Sequence, residues 1–211
     1  MLKQHKTILI LAPHTDDGEF GCGASINKWI SEGKEVYYAT FSACKQSVLP
    51  QFPEDILITE VKEATSTLGI KPENLILFDY EVRTFNYHRQ AILDDLIKLR
   101  EKINPDLVLM PSLNDIHQDH KTIAEEGLRA FKFKSILCYE MPWNNLNFNT
   151  ASFSILEKKH VDCKLLALEK YQSQAHRPYS KPEFIRGLAI SRGVQISSEY
   201  AEVFEVLRWI I

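Results

Sequence analysis

The sequence predicts an α/β fold in which a doubly wound, mostly parallel sheet is flanked by helices. Over roughly the first two thirds of the chain, short apolar runs typical of buried strands alternate with segments whose apolar residues have helical spacing. Glycine or proline ends several of these segments. With 211 residues, 45% of them hydrophobic and 25% charged, the chain can bury a full core. We therefore expect one domain spanning residues 1–211.

The elements follow one another regularly in this part of the chain. The first predicted strand, 7–12, is an unbroken aliphatic run, and the helix after it, 22–32, carries Ile26 and Trp29 on one face and ends at Gly33. The next elements are strand 36–41, helix 54–68, strand 75–78, helix 89–103, strand 107–110, helix 123–131 and strand 135–139. Such alternation is typical of parallel strands joined by helices, which is a Rossmann-like arrangement.

The C-terminal third is less regular. Residues 142–149 contain four asparagines among aromatic side chains and predict a loop. Helices are predicted over 159–171 and 182–191, and a closing strand over 203–211. The segment between the two helices, 172–182, is a candidate lid over a binding site.

Composition excludes several classes of protein. The formal net charge is −3 and no long basic run exists, so no nucleic-acid partner is expected. No apolar run approaches the ~20 residues needed to span a bilayer, and the chain enters its first strand without a signal-peptide pattern. The four cysteines are widely spaced without C-x-x-C pairing, which favours free thiols in a reducing compartment. We therefore expect a cytoplasmic protein.

Two polar clusters follow two of the predicted strands. Residues 14–17 (His-Thr-Asp-Asp) come directly after the first strand, and residues 117–120 (His-Gln-Asp-His) come after the fourth. Because parallel strands bring their carboxyl ends to one edge of a sheet, the two clusters are expected to meet. Imidazole nitrogen and carboxylate oxygen are zinc ligands, and catalytic zinc keeps a position open for water. The pattern therefore predicts a mononuclear metallohydrolase.

Spacing within the clusters suggests roles. His14 and Asp17 are three residues apart and can face one point, whereas Asp16 points elsewhere and can take a proton from water beside the metal. Either His117 or His120 can complete the coordination, while the other acts as a hydrogen-bond donor or acid. The alternative is structural: the aspartates would cap the next helix, and the histidines would lie on the surface.

The two clusters resemble the motifs of the PIG-L, or LmbE-like, family of zinc-dependent N-deacetylases, which act on N-acetylglucosamine-containing glycoconjugates. The clearest matches are Pro-His-Thr-Asp-Asp at 13–17 and His-Gln-Asp-His at 117–120. Weaker matching pieces are Gly21-Cys22-Gly23, Lys164 with Ala167-Leu168, Ser173-Gln174, Arg186-Gly187 and Ala201-Glu202 with Phe204.

The resemblance implies one Zn²⁺ per chain, held by His14, Asp17 and His120, although another divalent metal would also suit such ligands. It implies that Asp16 is the general base. It also implies that His117 stabilises the tetrahedral intermediate or protonates the amine.

Two aspartates near the second cluster, Asp115 and Asp119, are expected to influence its histidines. Asp119 would orient one imidazole. Either Asp119 or Asp115 would raise the pKa of His117 and keep it charged near neutral pH.

The chain departs from the family pattern at several places. Many relatives read His-Pro-Asp-Asp-Glu, whereas this chain has Thr15 for proline and Gly18 for glutamate, with Glu19 one place later. Some relatives carry tyrosine where this chain has Asp115, and others carry histidine where it has Tyr171. These changes bear on the substrate more than on the chemistry.

Four residues are candidate substrate contacts. Arg83 follows the third strand and suits an anionic or hydroxyl-rich group, and Asn114 and Asp115 adjoin the second cluster, where they can bind sugar hydroxyls or shape the turn. Trp143 offers a stacking face for a sugar ring or fills the core. The expected substrate is a small glycoconjugate, and the sequence leaves homo-oligomerisation open.

Three other functions compete with deacetylation. A nucleotide-binding module is disfavoured because the acidic first loop contains neither G-x-G-x-x-G nor G-x-x-x-x-G-K-[ST]. A metal-dependent phosphoesterase would use the same ligand types, usually with two bridged metals. A non-catalytic carbohydrate-binding protein would not need the full set of catalytic residue types.

Overall fold

A computed structural model describes residues 5–211 of the chain. The strands in these residues are β1 (Thr7–His14), β2 (Glu35–Ser42), β3 (Leu75–Leu77), β4 (Leu107–Pro111), β5 (Ser135–Tyr139), β6 (Ser152–Leu156) and β7 (Tyr200–Arg208). The α-helices are α1 (Asp17–Ser31), α2 (Ile56–Leu68), α3 (Arg89–Ile103), α4 (Gln118–Ala130), α5 (Lys158–Leu168) and α6 (Pro182–Val194).

The strands form one sheet in the order β3-β2-β1-β4-β5-β7-β6. Strands β1 to β5 are parallel, whereas β7 runs antiparallel to both β5 and β6. Strand β1 pairs with β2 on one side and with β4 on the other, so the strand order reverses next to it. This mostly parallel sheet confirms the predicted fold class. Ligands bind such sheets at the carboxyl ends of the strands where the order reverses, here those of β1 and β4.

Both faces of the sheet are covered, which explains the continuous aliphatic run of β1. Ile8 and Ile10 pack into a cluster that also contains side chains of α1, α2 and α5. Leu9 and Leu11 point the other way, into a cluster that also contains side chains of α3 and α4. A strand buried on both faces shows no polar alternation. The burial of β1 fixes the position of the loop that follows it.

Several predicted boundaries were wrong. Helices α1 and α4 begin at Asp17 and Gln118, five residues before the predicted starts, because their first turns carry polar residues, which apolar spacing does not reveal. The predicted start of α1 coincides with a real break, since the backbone of Cys22 leaves the helical region. Strand β6 was not predicted, and β7 covers Tyr200–Arg208 rather than 203–211. Strand β6 lies at the edge of the sheet, where only one neighbour constrains its sequence.

Residues 1–4, on which part of the expectation of no signal peptide rests, lie outside the described residues. Within 5–211, no helix is both long enough and apolar enough to cross a membrane. All four cysteines are free thiols, and Cys22, Cys44 and Cys138 are buried.

Candidate active site

The two polar clusters meet at the carboxyl ends of β1 and β4. His14 is the last residue of β1, and Asp16 and Asp17 lie at the start of α1. His117 precedes the first residue of α4, and His120 lies in its first turn. All five side chains line one cavity of about 390 Å³. Sequence-distant residues therefore share one site because the sheet aligns the ends of their strands.

Three ligand atoms form a nearly equilateral triangle. His14 Nδ1 and Asp17 Oδ2 are 3.3 Å apart, Asp17 Oδ2 and His120 Nε2 are 3.2 Å apart, and the two imidazole nitrogens are 3.3 Å apart. Ligands about 2.0–2.1 Å from a tetrahedral metal lie about 3.3 Å from each other, so these residues fit a zinc ion with one open position. His117 is also near, with a ring nitrogen within 4.8 Å of those of His14 and His120.

Each histidine of the triangle is held from behind by a buried carboxylate. Asp119 Oδ2 lies 3.0 Å from His14 Nε2, and Asp115 Oδ2 lies 2.8 Å from His120 Nδ1. A carboxylate in this position fixes the tautomer and leaves the other ring nitrogen free for a metal. The structure places Asp119 beside the imidazole of His14, and its orienting role stays a prediction. Asp115 is 2% exposed and stands behind His120 instead of in the cavity wall, which does not fit the expected contact with substrate hydroxyls.

The charges in the triangle support one another. Burial opposes the charge on His14 and His120, but Asp17 and the carboxylates behind them outweigh it and raise their pKa values to about 9 and about 10. Burial likewise opposes ionisation of Asp17, yet His120 and His14 hold its pKa well below the ordinary range. Asp17 is therefore an anion at neutral pH, as a cation ligand must be, and a metal would displace one proton from each of the two histidines on binding.

Asp16 lies beside the triangle without taking part in it. Its carboxylate faces the cavity and makes no side-chain capping hydrogen bond to α1, so it does not serve as the helix cap that the structural alternative required. Burial and the negative charge of Asp17 raise its pKa to about 6. A carboxylate of this kind is largely ionised at neutral pH and is more basic than an ordinary aspartate.

The protonation state of His117 differs from the one expected from the sequence. Its Nδ1 accepts the backbone N–H of Asp119 at 3.2 Å, which leaves the proton of a neutral ring on Nε2. Burial, together with the positive charges of His14 and His120, lowers its pKa to about 4. The expected rise in pKa was wrong, because burial and the two charged histidines outweigh the carboxylates of Asp17 and Asp119. Asp115 accepts the backbone N–H of His117 at 2.8 Å. His117 is a neutral hydrogen-bond donor at the cavity wall.

A family model described as PIG-L: GlcNAc-PI de-N-acetylase matches residues 9–131, which is more than half of the chain and includes both clusters. The chain belongs to the PIG-L family. The uncharacterised deacetylase YaiS of Escherichia coli (strain K12) is 25% identical over 177 residues, which cover 81% of this chain and 92% of YaiS.

Solved structures share the PIG-L fold seen in this chain. N,N'-diacetylchitobiose deacetylase from Pyrococcus horikoshii has a TM-score of 0.82 and 22% identity, covering 98% of this chain and 85% of its own. GalB, the 4-carboxy-2-hydroxymuconate hydratase of Pseudomonas putida KT2440, has a TM-score of 0.78 and 18% identity over 98% of each chain. Because that protein is a hydratase, the fold by itself does not decide the reaction.

Arg83 connects the cavity wall to the carboxylate behind His14. Its backbone has φ 71°, a left-handed conformation that is strained for arginine, and its N–H donates to Asp119 Oδ2 at 2.6 Å. Its guanidinium lies in the cavity wall and donates to Ser47 Oγ at 3.1 Å. In this PIG-L member, the strained turn both supports Asp119 and brings a positive side chain to the site.

An aromatic wall lies on another side of the cavity. Trp143 and Tyr179 are stacked, with ring centroids 4.1 Å apart and planes 8° apart, and Phe20 packs edge-on against both. Arg177 and Gln174 also line the cavity and come from the segment proposed as a lid. The sequence indicated residues 172–182 as a lid but gave no role to Arg177 or Gln174, because the segment reaches the site only in the folded chain.

Asn114 is exposed and does not belong to the cavity wall, unlike Arg83 and Trp143. Its backbone N–H donates to Ser112 Oγ at 3.1 Å. Asn114 therefore fits the turn-shaping alternative rather than the expected substrate contact.

Proposed function

We propose that this protein is a metal-dependent amide hydrolase that removes the N-acetyl group from an N-acetylglucosamine-type sugar or glycoconjugate. The observation that carries the proposal is the ligand triangle of His14, Asp17 and His120, with the raised-pKa carboxylate of Asp16 beside it. Membership of a family whose model is described as a de-N-acetylase favours this reaction over others that the fold supports.

His14, Asp17 and His120 would hold one Zn²⁺ per chain, and another divalent ion of similar preference could replace it. When bound, such an ion supplies Lewis acidity, which polarises an amide carbonyl and acidifies water. The donor set supports zinc because it combines two imidazole nitrogens with one carboxylate oxygen.

Asp16 and His117 would carry the proton and charge movements. Asp16 accepts a proton from the water whose oxygen attacks the acetyl carbonyl carbon. The Nε2–H of His117 then donates to the carbonyl oxygen as it becomes negative. The carbon–nitrogen bond breaks, the proton held by Asp16 passes to the departing nitrogen, and the free amine and acetic acid result, the acid then ionising to acetate in water.

The remaining cavity wall would bind the sugar. The stacked pair of Trp143 and Tyr179 offers an apolar face to the ring, and the guanidinium groups of Arg83 and Arg177 can donate to hydroxyl or anionic oxygens. The diacetylchitobiose deacetylase with the same fold is consistent with a sugar in such a cavity.

The direct test is acetate release from a panel of N-acetylhexosamines, presented free, nucleotide-linked and glycosidic, by the zinc-loaded protein. We expect release from at least one class. Asp16→Asn keeps the shape of the side chain but removes its basicity, so turnover should fall about 10²–10⁴-fold with zinc still bound. His14→Ala should lose both zinc and activity.

Other outcomes would favour the alternative functions. Two metals per chain by elemental analysis, with phosphate-ester cleavage, would support the phosphoesterase. Sugar binding without acetate release would support a non-catalytic carbohydrate-binding protein. Loss of zinc from Asp16→Asn would make Asp16 a ligand and would require a different base.

A further inference from the structure

A buried polar network lies under the loop that carries Asp16. It joins Thr15, Gly18 and Tyr171 with Glu19 and Tyr38. Glu19 and Tyr38 are 0% exposed, and Tyr171 is 2% exposed. None of the three side chains lines the cavity, so the proposed reaction does not use them directly.

Two phenol groups converge on one backbone carbonyl. The hydroxyl of Tyr38 lies 2.9 Å from the Thr15 carbonyl oxygen, and the hydroxyl of Tyr171 lies 2.8 Å from the same atom. Each hydroxyl also contacts the Glu19 carboxylate, that of Tyr171 at 3.0 Å. Glu19 thus holds both phenols in place.

Gly18 leaves the room that this arrangement needs. A Cβ atom at position 18 would lie 2.4 Å from Cε2 of Tyr38, a distance that rigid aromatic packing cannot accommodate. The Gly18 N–H also donates to the Tyr38 hydroxyl at 3.0 Å. A larger residue at position 18 is therefore incompatible with Tyr38 in this place.

We propose that Glu19, Tyr38 and Tyr171 are positioning residues for the reaction: they hold the Thr15–Asp16 peptide plane and thereby the carboxylate of Asp16. This inference rests on the proposed function. The peptide unit is planar, so fixing the Thr15 carbonyl also fixes the nitrogen and the Cα of Asp16, the atom from which its side chain leaves the backbone. Asp17 has a separate support, because its Oδ2 accepts the His14 N–H at 2.8 Å. The network therefore acts on the base more than on the metal ligands.

The test compares Tyr171→Phe with Tyr139→Phe. Tyr139 is also fully buried, and its hydroxyl donates to a carbonyl of β1, that of Leu11, at 2.9 Å, but it does not line the cavity. Both variants lose a buried phenol–carbonyl contact, and Tyr171→Phe also loses the contact with Glu19. We expect both to lose thermal stability, Tyr171→Phe somewhat more, but only Tyr171→Phe should lower kcat, about 10- to 100-fold, because small displacements of reacting groups are costly. KM and zinc affinity should stay within about twofold of wild type, which is a much smaller change than the expected loss of kcat.

Tyr38→Phe removes the second hydroxyl and should repeat this pattern. Glu19→Gln keeps a polar side chain of the same shape between the two phenols, so it should retain more kcat than Glu19→Ala. Unchanged kcat in both Tyr171→Phe and Tyr38→Phe, or an equal loss in Tyr139→Phe, would overturn the inference.

If wild type releases no acetate from any substrate, the proposed function fails, and crystal structures of the variants then test the network alone. A turned Thr15–Asp16 peptide in Tyr171→Phe, with an unchanged one in Tyr139→Phe, would support the inference. An unturned peptide in Tyr171→Phe would overturn it.

Discussion

Replacing Asp115 by asparagine should weaken zinc binding without touching the cavity. One oxygen of Asp115 lies 2.8 Å from His120 Nδ1, and the other accepts the His117 N–H at 2.8 Å. Asparagine has the same shape but only one acceptor oxygen, so one of these two donors must face an NH₂ group. A hydrogen bond to a charged partner contributes about 1.5–3 kcal/mol, and every 1.4 kcal/mol is about tenfold in affinity. We therefore expect zinc affinity to fall about 10- to 100-fold, the usual cost of losing an orienting carboxylate.

The measurement is zinc titration against a competing chelator, followed by acetate-release kinetics at saturating zinc. Asn114→Ala is the matched control, because Asn114 is the exposed sequence neighbour and is absent from the cavity wall. It should leave both zinc affinity and KM unchanged. If Asp115→Asn binds zinc as tightly as wild type but has a raised KM, then Asp115 contacts substrate, and the orienting role derived from the geometry is wrong.

Further predictions concern stability, substrate binding and metal removal. In α6, Gly193→Ala should destabilise the fold, because its Cβ would lie 2.6 Å from the Ser198 carbonyl oxygen. Gly187 is exposed in the same helix, so Gly187→Ala should add about 0.5–1 kcal/mol to the free energy of unfolding measured in urea. If Gly193→Ala were more stable to urea than Gly187→Ala, this interpretation of α6 would be wrong. Trp143→Ala should raise KM for sugar substrates about 3- to 10-fold through loss of its aromatic face, with zinc affinity unchanged; an unchanged KM would make Trp143 a packing residue. Chelation should abolish acetate release and added zinc should restore it, and activity that survives complete metal removal would contradict the metal-dependent mechanism.

Local sequence patterns were sufficient to predict an element when the burial of that element constrains most of its residue types. The aliphatic run of β1 and the helical spacing of α3 predicted both elements closely, because burial on both faces or on one stripe constrains every position. The starts of α1 and α4 were missed because polar first turns look like loops when only apolar spacing is followed. Edge strand β6 was missed because, with a single neighbour in the sheet, it carries a weak signal.

The strand ends that carry potential metal-binding residues can be recognised from the sequence alone, since an apolar run followed by His or Asp is visible without knowledge of the fold. The contacts that support these residues depend on how distant parts of the chain pack together. Asp119 lies behind His14, and burial together with the charge of His14 lowers the pKa of His117, because the start of α4 packs against the end of β1. The hydroxyl of Tyr171 reaches Thr15, 156 residues earlier in the chain, only in the packed protein. Residue types and their order along a strand are local properties, whereas hydrogen-bond partners, burial and pKa depend on which distant segments come together.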